Sequence, residues 1–291
     1  MKLFVNDLTV IDSSFVDTTR GIVGESWIVD LQLTGGLNEE SMVLDFGVVK
    51  KQIKALIDDL ADHRLIVPTQ APELALHRDV DATWVSNSAT RQGSFFVQGP
   101  EQAFCFIEAP RIDEQSVAQY LERMILPQLP SNVKAMSLSL RSEAIDEPYY
   151  HYSHGLKKHS GNCQRIAHGH RSRIRIYKDG QLDPQLQALW AERWEDIYLI
   201  TEEDIVELDT LSEGVQGLPA EDLICASYQS PQGHFEIALP RERSEVMTTD
   251  STVERIAEYI AEQVAQMQPG HAIEVYAYEG VSKGAIAESR V

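Results

Sequence analysis

Apolar and polar residues alternate along MKLFVNDLTVIDSSF (1–15), which predicts a first strand with one buried face. The period changes over SMVLDFGVVKKQIKALIDDLADHRLIV (41–67). Here a short strand is predicted first, Asp45 stands near a helix start, and Val48 or Val49, Ile53, Leu56 and Leu60 recur at helical spacing. TWVSNSATRQGSFFVQG (83–99) predicts two strands around a turn, IDEQSVAQYLERMILPQL (112–129) an amphipathic helix, and VKAMSLSLRSE (133–143) another alternating strand.

The same order then recurs. LDPQLQALWAERWEDIYLIT (182–201) resembles the first helix region, and aligning its YLIT with RLIV (64–67) sets Asp196 on Asp62 and Ile197 on His63. ICASYQSPQGHFEIAL (224–239) predicts a second hairpin, with Gln232-Gly233-x-Phe235 matching Gln92-Gly93-x-Phe95. TVERIAEYIAEQV (252–264) predicts a second amphipathic helix, in which Glu254 matches Glu114, and AIEVYAYEGVS (272–282) follows as a strand. Each half reads as strand, strand, helix, hairpin, helix, strand, and turn chemistry in IDEPYY (145–150) separates them. The expectation is two domains of one α+β plan, residues 1–146 and 147–291, with antiparallel sheets carrying helices on one face.

Composition narrows the function. A chain of 291 residues that is 43% hydrophobic can bury a core without staples. No apolar run approaches about 20 residues, so no membrane span is expected, and no signal-peptide pattern opens the chain, which makes the cytoplasm the default. The net charge of −20 argues against a nucleic-acid partner. Three scattered cysteines suggest neither a disulfide framework nor a cysteine-only metal site. The acidic stretch 201–222 reads as a solvated helix or loop.

Five of the nine histidines fall in HYSHGLKKHSGNCQRIAHGH (151–170). His168 and His170, two apart on a predicted strand, share a face, and a hairpin would return His154 beside them. Three imidazoles with an open position suit catalytic zinc, although the same trio also fits a core polar cluster or a surface group. Cys163 lies between these ligands in a polar turn, as a base with a lowered pKa, a fourth metal ligand, or a small buried side chain. His151 and His159 read as surface or supporting residues. Lys157, Lys158, Arg165 and Arg171 could draw in a phosphorylated tail or simply be solvated.

SHGL at His154, GNC at Cys163, HGH at 168–170, VLDFGVVKKQIK at 43–54, ADHRL at 61–65, TVERIAEYI at 252–260 and YEGVS at 278–282 together resemble the family of 6-pyruvoyl-tetrahydropterin and 6-carboxytetrahydropterin synthases. The resemblance implies tunnelling-fold domains assembled into a closed barrel, with zinc on His154, His168 and His170, a catalytic Cys163, and an Asp62–His63 pair for proton transfer. It also implies that Glu279 anchors a pterin, a role that suits a carboxylate accepting two parallel N–H bonds, with Glu254 and Thr252 supporting that pocket. The first half departs from the pattern, with Gly24-Glu25-Ser26 where HGH would lie, yet it keeps Asp62–His63. The second half keeps the zinc and cysteine motifs but has Asp196-Ile197. Complementary losses predict one composite site per chain in a homo-oligomer. The implied activity is zinc-dependent conversion of 7,8-dihydroneopterin triphosphate to the carboxytetrahydropterin. The alternatives are the pyruvoyl synthase, a dihydroneopterin lyase or aldolase, a pterin-binding scaffold without catalysis, and a stand-alone zinc hydrolase.

Overall fold

The computed structural model describes residues 1–80, 82–90, 93–219 and 222–290. The N-terminal alternation folds into a long antiparallel hairpin of β1 (Lys2–Asp17) and β2 (Gly21–Gly35). No strand forms over 41–45. Asp45 instead caps α1 (Phe46–Val48), accepting from the Gly47 and Val48 N–H groups, and a π-helical turn at Val49–Ile53 leads into α2 (Lys54–Leu60). Val49, Ile53 and Ile57, four residues apart, are fully buried and set the packed face.

The strands that follow are β3 (Leu65–Pro68), β4 (Ala75–His77), β5 (Thr83–Thr90), β6 (Gly93–Gly99) and β7 (Phe104–Ile107). Gln92, in the expected turn before β6, lies outside the described residues. Asp113 caps α3 (Glu114–Ile125) in a reciprocal pair with Ser116, and β8 (Val133–Ser142) completes the first half.

The second half runs β9 (Tyr149–His154), β10 (His168–Lys178), β11 (Gln181–Leu182), α4 (Pro184–Arg193), β12 (Ile197–Thr201), β13 (Ile205–Val206), β14 (Leu223–Ser230) and β15 (Gly233–Pro240). It ends with β16 (Ser244–Met247), α5 (Val253–Met267), β17 (Ala272–Tyr278) and β18 (Gly284–Arg290).

Among the described residues three sheets result, in the orders β7-β3-β1-β2-β8, β16-β12-β9-β10-β17-β18 with β11 on β10, and β13-β14-β15-β6-β5-β4. The third crosses between the halves through β15 and β6. Two expectations are corrected here. The sheets are mixed, because β3 runs parallel to β1 and β7, and β12 parallel to β9 and β16. They are also open and do not close into a barrel. Each ends in two edge strands, and the first two sheets meet back to back at β1–β2 and β9–β10 with no shared ladder.

That stacking depends on two glycines. A Cβ on Gly24 would lie 1.9 Å from the Tyr152 carbonyl oxygen, and one on Gly169 would lie 2.6 Å from the Gly24 Cα. Ser14 and Ser153 share a hydrogen bond of 2.7 Å at the same contact. Outside it, α2 and α3 pack on the first sheet and α4 and α5 on the second, each forming its own apolar core. A third core, including Phe95, Ile166, Tyr198 and Phe235, lies under the crossing sheet.

Back-to-back packing also fixes which residues correspond. Ser14 faces Ser153 and Gly24 faces Gly169, so Ser13-Ser14-Phe15 matches Tyr152-Ser153-His154, and Val23-Gly24-Glu25 matches His168-Gly169-His170. The strand pairs agree, since Phe15 pairs with Val23 as His154 does with His168, and Ser13 with Glu25 as Tyr152 does with His170. The alignment expected from sequence is therefore one residue off: Phe15, Val23 and Glu25, and not Gly24 or Ser26, stand where the second half has its histidines.

Candidate metal and proton-transfer site

The site starts from strand geometry. His168 and His170 project from one face of β10, and His154 lies opposite His168 on β9, so all three rings share the helix-facing side. Ring centroids are 4.4 Å apart for His154 and His168, 5.5 Å for His154 and His170, and 5.8 Å for His168 and His170. All three residues are at most 1% exposed, and their donor atoms lie within 4.8 Å of one another.

Their other contacts orient them. His154 Nδ1 sits 3.0 Å from both the Ser251 carbonyl and its hydroxyl, and His168 Nδ1 sits 3.2 Å from the Arg165 carbonyl. Each Nε2 is left buried without a partner among the described residues. A carbonyl on Nδ1 selects the tautomer whose Nε2 carries the lone pair, the form that binds a metal ion. Burial, reinforced by neighbouring imidazoles, pushes His154 and His168 well below the usual imidazole range and keeps both neutral. Orphaned buried nitrogens on three converging rings fit a bound metal ion, and the cluster is able to coordinate one.

Cys163 lies in a short 3-10 turn, Asn162–Gln164, held by the Leu156 N–H on its carbonyl. The first half supplies the group beside it. His63, in the left-handed backbone region at φ 55, directs its N–H to the Asp12 carbonyl, and its ring centroid is 5.0 Å from that of His168. Asp62 Oδ2 accepts from His63 Nδ1 at 2.6 Å, while Asp62 Oδ1 accepts from the Asp12 N–H at 2.8 Å. The donor atoms of His63, Cys163 and His168 also lie within 4.8 Å of one another. Burial opposes charging His63, but hydrogen bonds to Asp62 and Cys163 outweigh it and push the imidazole up to about 10. This is the arrangement of an oriented imidazole beside a thiol, which suits proton transfer.

Of the residues singled out from sequence, the structure brings His154, His168, His170, Cys163, Asp62, His63 and Glu279 together within a single chain. Glu279 Oε1 stands 3.7 Å from His170 Nε2 at the partly open side of the cluster. Glu254 is exposed on the first turn of α5. Thr252, the residue before α5, lines a surface cavity with Lys158, Asp250 and Arg255. Its neighbour Ser251 makes the contact to His154.

Each of the cations singled out from sequence has protein partners. Lys157 pairs with Asp204 and Glu203, Lys158 with Glu203 and Asp250, and Arg171 donates to the Glu143 carbonyl. Arg165 reaches Gln232 and the His63 carbonyl. In the 201–222 stretch, Asp204 is buried and the rest forms short turns and β13; Ala220 and Glu221 lie outside the described residues. Sequence reasoning gave no role to Ser251, Asp12 or Lys283, yet Ser251 contacts His154, Asp12 contacts His170, and Lys283 holds Asp12. Ser251 carried a usable signal, since it precedes the matched Thr252.

No protein-family model matches the chain, and no curated protein does. Among solved structures, a 6-pyruvoyl tetrahydropterin synthase from Plasmodium vivax is 16% identical over 50% of this chain and 93% of its own, with a TM-score of 0.40. The Plasmodium falciparum 6-pyruvoyl tetrahydropterin synthase is 15% identical over 49% of this chain and 91% of its own, with a TM-score of 0.39. Likenesses this distant carry no functional weight, which rests on the residues themselves.

Proposed function

We propose that the chain is a metal-dependent lyase of the pyruvoyl-tetrahydropterin synthase type, acting on a dihydropterin with a hydroxylated side chain. The observation that carries the reading is the meeting, inside one chain, of three buried histidines with Cys163, the Asp62–His63 pair and Glu279. His154, His168 and His170 would hold zinc, which when bound supplies Lewis acidity toward the side-chain oxygens. Glu279 accepts the parallel N–H groups of the pterin ring and fixes its position. Cys163 Sγ takes a proton from the side-chain carbon, and His63 exchanges that proton while Asp62 holds its ring.

Elimination of triphosphate to a pyruvoyl product and carbon–carbon cleavage to a carboxy product with acetaldehyde both begin with that proton abstraction. The proposal is therefore tied to the shared step. The match of Tyr152–His154 to Ser13–Phe15, and of His168–His170 to Val23–Glu25, supports the companion reading of 1–146 and 147–291 as two versions of one plan.

The test is anaerobic turnover of 7,8-dihydroneopterin triphosphate by zinc-loaded protein, with products separated. Pyruvoyl- or carboxytetrahydropterin that disappears in Cys163→Ala is the expected result. A folded, zinc-loaded protein that leaves the substrate intact contradicts the proposal.

A further inference from the structure

The first half has no histidine at the three matched positions, yet it places a carboxylate against the second half's metal-type cluster. Asp12, 5% exposed on β1, projects from the face of the first hairpin that packs on β9–β10. Its Oδ1 stands 3.2 Å from His170 Nδ1. The pair does not meet hydrogen-bond geometry, so among the described residues His170 Nδ1 has no aligned partner. Asp12 itself is firmly held. Ser26 Oγ donates to Oδ1 at 2.5 Å, Lys283 Nζ to Oδ2 at 3.1 Å, and Gly280 packs so closely that a Cβ there would lie 2.6 Å from Oδ1.

The three imidazoles thus have unequal support. His154 and His168 each face a backbone carbonyl through Nδ1, and His170 alone faces a charged group. A carboxylate behind a ligating imidazole fixes its tautomer and raises its basicity as a donor. We propose that Asp12 is the positioning residue for His170, a charge lent by the first half to the metal centre of the second. The inference rests on the reading of the three histidines as metal ligands.

The test is zinc affinity measured by competition with a chromophoric chelator, for wild type, Asp12→Asn and His154→Ala, with urea midpoints of the metal-free proteins alongside. Asp12→Asn keeps the shape and removes the charge. It is expected to weaken zinc about 10–100-fold with little change in the urea midpoint, and to shift the visible absorption of the cobalt-substituted protein. Wild-type affinity within twofold in a folded Asp12→Asn, with an unchanged cobalt spectrum, overturns the inference. If Asp12→Asn does not fold, Ser26→Ala carries the test by releasing one tether of Asp12, and an affinity unchanged there overturns the inference equally. Wild type that fails to bind zinc sinks the three-histidine reading and this inference together. Wild type that binds while the Asp12 variants match it sinks this inference alone.

Discussion

Around His170 and around Glu25 the chain builds the same backbone and fills it with opposite chemistry. At His170, the imidazole belongs to the second half and the carboxylate, Asp12, to the first. At the matched Glu25, the carboxylate belongs to the first half and the imidazole, His151, to the second, 3.9 Å away. The left-handed residue before β3 is His63, at φ 55, whose ring stays within reach of Cys163. The left-handed residue before β12 is Asp196, at φ 54, whose carboxylate is bound by the Arg20 guanidinium through two nitrogens. One locus keeps orphaned nitrogens aimed at a common point, and the other satisfies its charges internally. The same backbone geometry thus carries different side chains at the two loci, and the contacts of the filled one join the halves.

The largest effect expected from breaking this contrast is at the open locus. His63→Ala should lower kcat by about 10²–10⁴ while zinc affinity measured by competition stays at the wild-type value, if His63 moves protons as proposed and the three histidines hold the ion. Loss of both together would assign His63 to the metal.

Next come the glycines that let the two loci stack. Gly24→Ala should destabilise the protein by about 3 kcal/mol or more in urea titrations, since the new Cβ meets the backbone oxygen of Tyr152 and nothing nearby can yield. A cost within about 0.5 kcal/mol would mean that the hairpins separate easily.

At the filled locus, Arg20→Ala leaves the Asp196 carboxylate, 1% exposed, without its partner. A cost of about 3 kcal/mol is expected, with zinc affinity intact. A neutral outcome in the same titration would show that Asp196 is solvated in solution.

The smallest effect concerns pH. Burial pushes Glu25 up to about 7 from an ordinary 4.5, so the folded chain binds its proton more tightly than the unfolded chain does. That contribution is fully present below about 4.5 and is lost as pH rises through about 7. His151 runs the other way. Burial pushes it down to about 4, so its contribution grows as pH rises from about 4 to 6.5. The two slopes oppose each other in the wild type. Glu25→Gln removes one of them, and its stability relative to wild type should climb between pH 5 and 7 to a gain of about 2 kcal/mol, read from urea midpoints at each pH. A constant difference across that range would refute the assignment.

Much of the open locus was legible in the sequence. Two-residue spacing put His168 and His170 on one strand face, and a return strand brought His154 beside them, because strand periodicity is local. The helices were legible for the same reason, with Asp45 at a helix start and amphipathic spacing in α3 and α5; the Asp113 cap emerged only in the structure. The correspondence of the halves was not. The β1–β2 turn is short, whereas residues 155–167 form a long excursion before β10, so no residue count carries one hairpin onto the other. A slip of one residue exchanges the two faces of a strand, and the Gly-Glu-Ser match made that slip. Sheet closure was equally hidden. Whether an edge finds a partner depends on chain segments far away in sequence, and here β7, β8, β16 and β18 remain edges. Nothing local in β1 marks Asp12, whose contact to His170 is made between two strands far apart in sequence.

The central claim is that both halves of one chain complete one site. It is tested most directly by co-refolding Cys163→Ala and His63→Ala protein in equal amounts and measuring pterin turnover against wild type and each variant alone. The two lesions lie in the same intrachain cluster, so the mixture should stay at the sum of the two backgrounds. Turnover rising well above that sum would mean that Cys163 of one molecule works with His63 of another, and would contradict the account.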